Sequence, residues 1–235
     1  MDAIILAAGL GTRLRPHTLQ TPKPLLPLRG RPILDWTLGA LPPPVDRVII
    51  VVHYLAEQVE AYLHSQRWFK HWRTVKQEQP RGTGVAVRSC QAYIQSERVL
   101  VMNGDDLFGA ADLANLANCP AGLLVHEVDE PRKFGIAFLK PDGTLEKLVE
   151  KPILEGRQLA NTGAYVFPRA ILDTELKLSA RGEYEITDYV SILAQQQPVH
   201  VVRARFWLPI GTVEAWRAAE QVDLAANLTA RQQRP

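Results

Sequence analysis

Three short, almost wholly apolar runs, at residues 3–8, 48–52 and 99–102, limit the fold of this chain more than any other feature of it. A strand without polar alternation has to be covered on both faces, and returning each strand through a helix does this. The segments between them suit that role. Residues 56–64 place Val59 and Leu63 four apart, and residues 83–95 carry Ala86, Val87 and Ile94 near helical spacing. The first half thus predicts parallel strands with crossover helices. Beyond it, residues 122–126, 134–139, 145–150 and 164–167 read as strands, with a turn at Pro141-Asp142-Gly143. Helices are expected at 186–196 and 213–228 around a strand at 199–204, with Thr212 as N-cap of the last helix and Glu214 suited to its dipole. No Gly/Ser linker or repeat interrupts the chain, so one α/β unit over 1–235 is expected, with halves at about 1–120 and about 121–228.

Composition removes several function classes. With 46% hydrophobic and 22% charged residues the 235-residue chain has the make-up of a globular protein, not of a disordered one. A net charge of +2 gives no footprint for nucleic acid or an anionic membrane, so any anionic ligand must be met by local groups. No apolar run approaches the ~20 residues of a membrane helix, and the N-terminus lacks a basic secretory segment, so a cytoplasmic location is expected. Cys90 and Cys119 stand in unrelated contexts and read as isolated thiols.

The informative loop follows the first run: Leu6-Ala7-Ala8-Gly9-Leu10-Gly11-Thr12-Arg13-Leu14-Arg15-Pro16. Glycines let backbone N–H groups approach phosphate oxygens, and Arg13 can make a charge-assisted fork. Alone, this is equally a βα turn carrying a surface arginine. It is not a dinucleotide fingerprint, since Leu14 stands where the third glycine belongs, and no Gly-Lys-Ser/Thr is present for a P-loop. Ten residues on, Thr21-Pro22-Lys23-Pro24-Leu25 holds one lysine between two prolines, which favours a positioned cation over a mobile surface one.

Together these two segments resemble the signature of the sugar-1-phosphate nucleotidyltransferases. The resemblance continues through Gln77-Glu78-Gln79-Pro80-Arg81-Gly82-Thr83-Gly84, Asn103-Gly104-Asp105, Phe134-Gly135, Glu150-Lys151-Pro152 and Asn161-Thr162-Gly163-Ala164-Tyr165. Arg181-Gly182-Glu183-Tyr184-Glu185-Ile186-Thr187-Asp188, similar above all to glucose-1-phosphate thymidylyltransferases, and Trp207-Leu208-Pro209-Ile210-Gly211-Thr212 complete it. It implies a Rossmann-like three-layer sandwich with a mostly parallel mixed sheet, a nucleotide-binding first half and a sugar-phosphate-binding second half. The implied reaction joins a nucleoside triphosphate to a sugar-1-phosphate with release of pyrophosphate, and a homo-oligomer is left open.

The same resemblance implies the roles. Arg13 and Lys23 would act on the reacting phosphates, and Ala8, Gly9, Gly11, Thr12, Gln77, Gly82 and Thr83 would hold the nucleotide. Gly135, Glu150, Lys151 and Asn161 would hold the sugar phosphate, and Asp105 would hold Mg²⁺. An amide at Gln77 complements the O4 acceptor and N3–H donor of uracil or thymine, which favours UTP or dTTP. Phe134 stands where the family often has tyrosine, and Asp106 reads as a solvated loop acid. Trp68 and Trp72, at helical spacing, read as packing residues, and His17 as a loop residue. Pro209 occupies a position where the family usually has an acidic or amide metal contact, which leaves a silent nucleotide-sugar-binding subunit as an alternative. A transferase for a non-sugar phosphate is another. The expected C-terminus is one helix and a polar tail, without the β-helix or second domain of some relatives.

Overall fold

The computed structural model describes residues 1–79, 81–179 and 182–231; Pro80 and Arg181 of the segments above, and residues 232–235, lie outside them. Strand β1 (Asp2–Leu6) is central, flanked in parallel by β4 (Arg47–Val52) and β6 (Arg98–Asn103), and β5 (His71–Lys76) adds parallel to β4. A two-residue pair, β2 (Pro27–Leu28) with β3 (Arg31–Pro32), stands apart. Alternate residues of the apolar runs enter different cores. Ala3, Ile5, Val48, Ile50, Leu100 and Met102 join one; Ile4, Ile49, Val51, Val99 and Val101 join the other. Helices α1 (Ile33–Ala40) and α2 (Ala56–Ser65) cover the first face, and α3 (Thr83–Ser89) and α5 (Ile186–Gln196) the second. This two-sided cover is why the strands carry no polar alternation, each fully buried Ile contributing about 1.5–3 kcal/mol.

After β6 the pairing turns antiparallel. Strand β11 (Gln158–Pro168) lies antiparallel to β6 and pairs β8 (Gly122–Val128) and β9 (Gly135–Leu139), while β10 (Leu145–Glu150) closes one edge against β9. The short β12 (His200–Arg203) runs parallel to β8. The sheet order is β10-β9-β11-β6-β1-β4-β5, with β8 and β12 branching from β11. The result is a mixed sheet between helical layers, as expected. A small ladder joins β7 (Asp106–Phe108) to β13 (Trp207–Pro209), and α4 (Ala110–Ala117) follows β7.

Three expectations need correction. The helical segment expected over 83–95 ends at Ser89, and a 3₁₀ turn, Gln91–Tyr93, leaves Ile94 in extended chain. Residues 213–228 form two helices, α6 (Val213–Ala219) and α7 (Leu224–Leu228), because Asp223 caps the second by accepting from the Ala226 N–H at 3.3 Å. Trp68 and Trp72 do pack, but not on a helix. Trp68 lies in a loop and donates to Asp35 at 2.9 Å, while Trp72 is in edge strand β5, which the reading of the sequence missed. Thr212 is the expected N-cap, accepting from Ala215.

The first strand is pinned by a fully buried acid. Asp2 accepts from the Arg47 Nε at 2.6 Å, from the Gln95 N–H at 2.6 Å and from the Ser96 N–H at 2.8 Å. Burial pushes its carboxyl up, but these bonds outweigh burial and hold it below its ordinary value. Its stabilisation is therefore complete above the unfolded value of about 3.9 and lost as pH falls through the lowered folded value. Asp2→Ala should lose about 3 kcal/mol at pH 7 in urea unfolding, with a smaller gap to the parent in strong acid. Equal stabilities at pH 7 would exclude this role.

Candidate functional site

The C-terminal ends of the parallel strands open on one edge of the sheet, where open α/β folds place their ligands. Beyond β1 the chain turns at Gly11, whose φ of +61° suits glycine and where a Cβ would sit 2.9 Å from the Thr18 methyl. The Thr18 hydroxyl donates to the Gly11 carbonyl at 2.7 Å, and buried Leu14 anchors the next turn in the core. Arg13, between them, points toward Gly211, where a Cβ would stand 3.6 Å from its guanidinium.

Lys23 opens a short turn whose Leu25 N–H donates to the Pro22 carbonyl at 2.8 Å. Its side chain is buried, and Nζ donates to Asp105 Oδ2 at 2.7 Å. Asp105 reaches this point because Gly104 has no side chain: a Cβ there would stand 2.8 Å from the Leu6 carbonyl oxygen. The Asp105 side chain is 40% exposed, whereas that of Lys23 is 8% exposed.

Gln77 follows β5. Its N–H donates to the Val52 carbonyl at 2.8 Å, its side chain is buried, and Nε2 reaches the Gly82 carbonyl at 3.4 Å. Gly82 has φ +108°, and any Cβ there would collide with the Tyr184 backbone. Gly84 N–H donates to the Tyr184 carbonyl at 2.8 Å, and the Thr83 hydroxyl accepts from the Ile186 N–H at 2.9 Å. All the expected nucleotide residues, with Lys23 and Asp105, thus line one cavity of about 440 Å³.

Gly135, Glu150, Lys151 and Asn161 do not line that cavity; Gly135, Glu150 and Asn161 gather on the neighbouring strands β9 to β11, and Lys151 follows β10 directly. Gly135 faces Glu150 across the ladder, and a Cβ on it would stand 3.1 Å from Glu150 Oε2 and 3.9 Å from the Asn161 Cβ. Asn161 donates to the Tyr165 hydroxyl at 2.7 Å and accepts from the Gly163 N–H at 3.2 Å, so its amide is held in one orientation. Lys151 adopts φ +46°, rare for a side-chain-bearing residue, with its N–H on the Phe134 carbonyl at 3.0 Å. The Phe134 ring meets Trp207 edge to face at 5.4 Å.

Asp106 is not a solvated loop acid. It is buried in β7, opposite Pro209 of β13, and accepts from Asn103 at 3.3 Å. Burial, and then the adjacent Asp105 charge, hold its carboxyl well above the usual range. Sequence reasoning also gave no role to Asn103 or Glu183, both of which line the cavity, although both stood inside quoted segments. His17 lies in a short 3₁₀ turn, its ring 4.9 Å from Trp216. Among the described residues no three His, Cys, Asp or Glu gather to hold a metal. The exposed Asp105 carboxylate still suits Mg²⁺, which commonly binds through one or two carboxylates, substrate phosphates and water. No helix among the described residues is long and apolar enough to cross a membrane.

The sequence matches the family described as Nucleotidyl transferase over residues 2–225. It is 35% identical over 214 residues to the "Bifunctional protein GlmU" of Methanocaldococcus jannaschii, covering 90% of this chain and 51% of that one. The chain thus spans about half the length of such relatives. It is 30% identical to a "UTP--glucose-1-phosphate uridylyltransferase" of Haloferax volcanii, with 94% of this chain and 96% of that one covered. Among solved structures, a putative glucose-1-phosphate thymidylyltransferase from Bacillus anthracis superposes with a TM-score of 0.77 at 26% identity, covering 95% and 96%. The match runs unbroken from the central strand to the last helix and takes in the glycine loop, the clamped lysine and the Asp105 turn, and on that ground the chain belongs to the nucleotidyl transferase family.

Proposed function

We propose that this chain transfers a nucleotidyl group from UTP or dTTP to a sugar-1-phosphate, with glucose-1-phosphate as the acceptor, releasing pyrophosphate. The observation that carries this reading is the Lys23–Asp105 pair on the wall of a cavity that also holds the glycine loop and Arg13. A phosphate oxygen of the sugar-1-phosphate attacks the α-phosphorus, a new P–O bond forms, and the bond from the α-phosphorus to the bridging oxygen breaks. Nucleophile and target are both anionic, so positioning and charge neutralisation do most of the work.

In this account Lys23 neutralises the reacting phosphates, while Arg13 and the backbone N–H groups at Gly9, Gly11 and Thr12 hold the departing ones. Mg²⁺, when bound, would neutralise phosphate charge, and Asp105 would hold it. Glu150, Asn161 and the Gly135 backbone would take the sugar hydroxyls, and Lys151 the sugar phosphate. Triphosphate and sugar phosphate are the partners, and a cytoplasmic location belongs to the same proposal. Pyrophosphate release across a panel of triphosphates and sugar-1-phosphates tests it: the pyrimidine triphosphates with glucose-1-phosphate should lead. Binding without release in any combination would favour the silent subunit, to which Pro209 alone points.

Gln77 carries the base preference. Gln77→Glu replaces the amide donor to O4 with a second acceptor, so kcat/KM for UTP and dTTP should fall about tenfold, the equivalent of one lost hydrogen bond. An unchanged preference would remove Gln77 from base recognition.

A further inference from the structure

A second cavity, of about 330 Å³, opens at the opposite end of the parallel strands, between the starts of β4 and β5 and a 3₁₀ turn at Gln91–Tyr93. Gln77 follows the far end of six-residue β5, so the two cavities are roughly 20 Å apart along that strand. Arg47, Lys70, His71 and Arg73 line the second one together with Tyr93, and among the described residues no Asp or Glu does. The register Arg47↔His71 and Ile49↔Arg73 puts these side chains on one face, while Trp72 turns to the other and meets the His64 ring at 4.8 Å.

Two of the cations are already held in place. The Arg47 guanidinium is bonded to Asp2 and Gln95, and Arg73 lies over the Tyr93 ring, 4.2 Å from its centroid. The Asp2 charge answers that of Arg47. Among the described residues, neither Lys70 nor Arg73 has a carboxylate within 4.0 Å. Like charges facing one concave space repel, and a multiply charged anion entering it relieves that repulsion. A planar guanidinium fixed in orientation suits phosphate oxygens in particular.

We propose that this groove is a second, non-catalytic site for a small phosphate-bearing anion of at least two charges. The chemistry is shared by free pyrophosphate and by the phosphates of a nucleotide, whose base could lie against the exposed Tyr93 ring.

Calorimetric titration of pyrophosphate into the full chain, without sugar phosphate, tests this in the parent, in Arg13→Ala/Lys23→Ala and in that variant with Lys70→Ala/Arg73→Ala added, because the catalytic cavity of the parent also takes pyrophosphate. The last pair changes two exposed side chains, and circular dichroism checks the fold of every variant. A saturable site should persist in the Arg13/Lys23 variant and weaken at least tenfold in the fourfold variant. Titrating UTP into the Arg13/Lys23 variant, with and without Tyr93→Ala, separates the sources: a nucleotide loses affinity with the ring, and pyrophosphate does not. The proposal is overturned if the Arg13/Lys23 variant binds no pyrophosphate. It is equally overturned if adding Lys70→Ala/Arg73→Ala to the Arg13/Lys23 variant weakens binding no more than adding a distant surface change such as Lys177→Ala. Failure of the nucleotidyl-transfer reading would show instead as a parent that releases no pyrophosphate, and would leave this groove untouched.

Discussion

Lys23→Ala should lower kcat by about 10²–10³-fold with the fold retained, the usual effect of deleting one group that stabilises charge in the transition state. The lysine is buried between two prolines, and its ammonium is already held against the Asp105 carboxylate on the cavity wall, so little reordering is needed when phosphates arrive. Its removal leaves Asp105 without this partner, but that carboxylate is exposed enough to be solvated, so folding should survive. Steady-state kinetics beside circular dichroism check this, with Lys23→Met as a bulkier neutral control. A kcat within twofold of the parent would strike Lys23 from the chemistry.

The second large effect concerns Asp105. Asp105→Ala should lose at least 10²-fold in kcat/KM at every Mg²⁺ concentration and should weaken Mn²⁺ binding, read directly by electron paramagnetic resonance. Pro209→Asp should act in the opposite sense. Pro209 sits across the β13–β7 ladder from Asp106, and the neighbouring Ile210 N–H donates to the Asp105 carbonyl at 3.0 Å, so a carboxylate there is added beside the turn that carries Asp105. The variant should reach half-maximal rate at a lower Mg²⁺ concentration than the parent. Its fold must be checked, because proline fixes φ and lacks the N–H that aspartate brings. If Asp105→Ala matches the parent throughout, the metal is held elsewhere.

How much of this was legible depends on the residue. β1, β4 and β6 were readable because burial on both faces removes polar alternation. Edge strand β5 was not: His71 and Arg73 alternate with Trp72 and Thr74, and the spacing of Trp68 and Trp72 imitates a helix. The break at Asp223 was hidden because a side chain that can cap a helix looks the same in sequence when it rides in one. The site segments were visible one by one, and their convergence follows from parallel strands delivering their C-terminal ends to one edge. Asp106 reads as a loop acid because no motif position assigns it a role; the pairing with Pro209 and the bond from Asn103 place it in a buried strand. The separation of the Glu150–Asn161 group from the main cavity is equally a matter of strand order, since β9 and β10 lie beyond β11.

The most direct measurement is of both products at once. The chain is incubated with UTP, glucose-1-phosphate and Mg²⁺, and UDP-glucose and pyrophosphate are followed together by phosphorus NMR. The two should appear in equal amounts, each should require both substrates, and Lys23→Ala should slow them alike. Formation of neither product, or release of pyrophosphate from UTP that continues unchanged without the sugar phosphate, would contradict it.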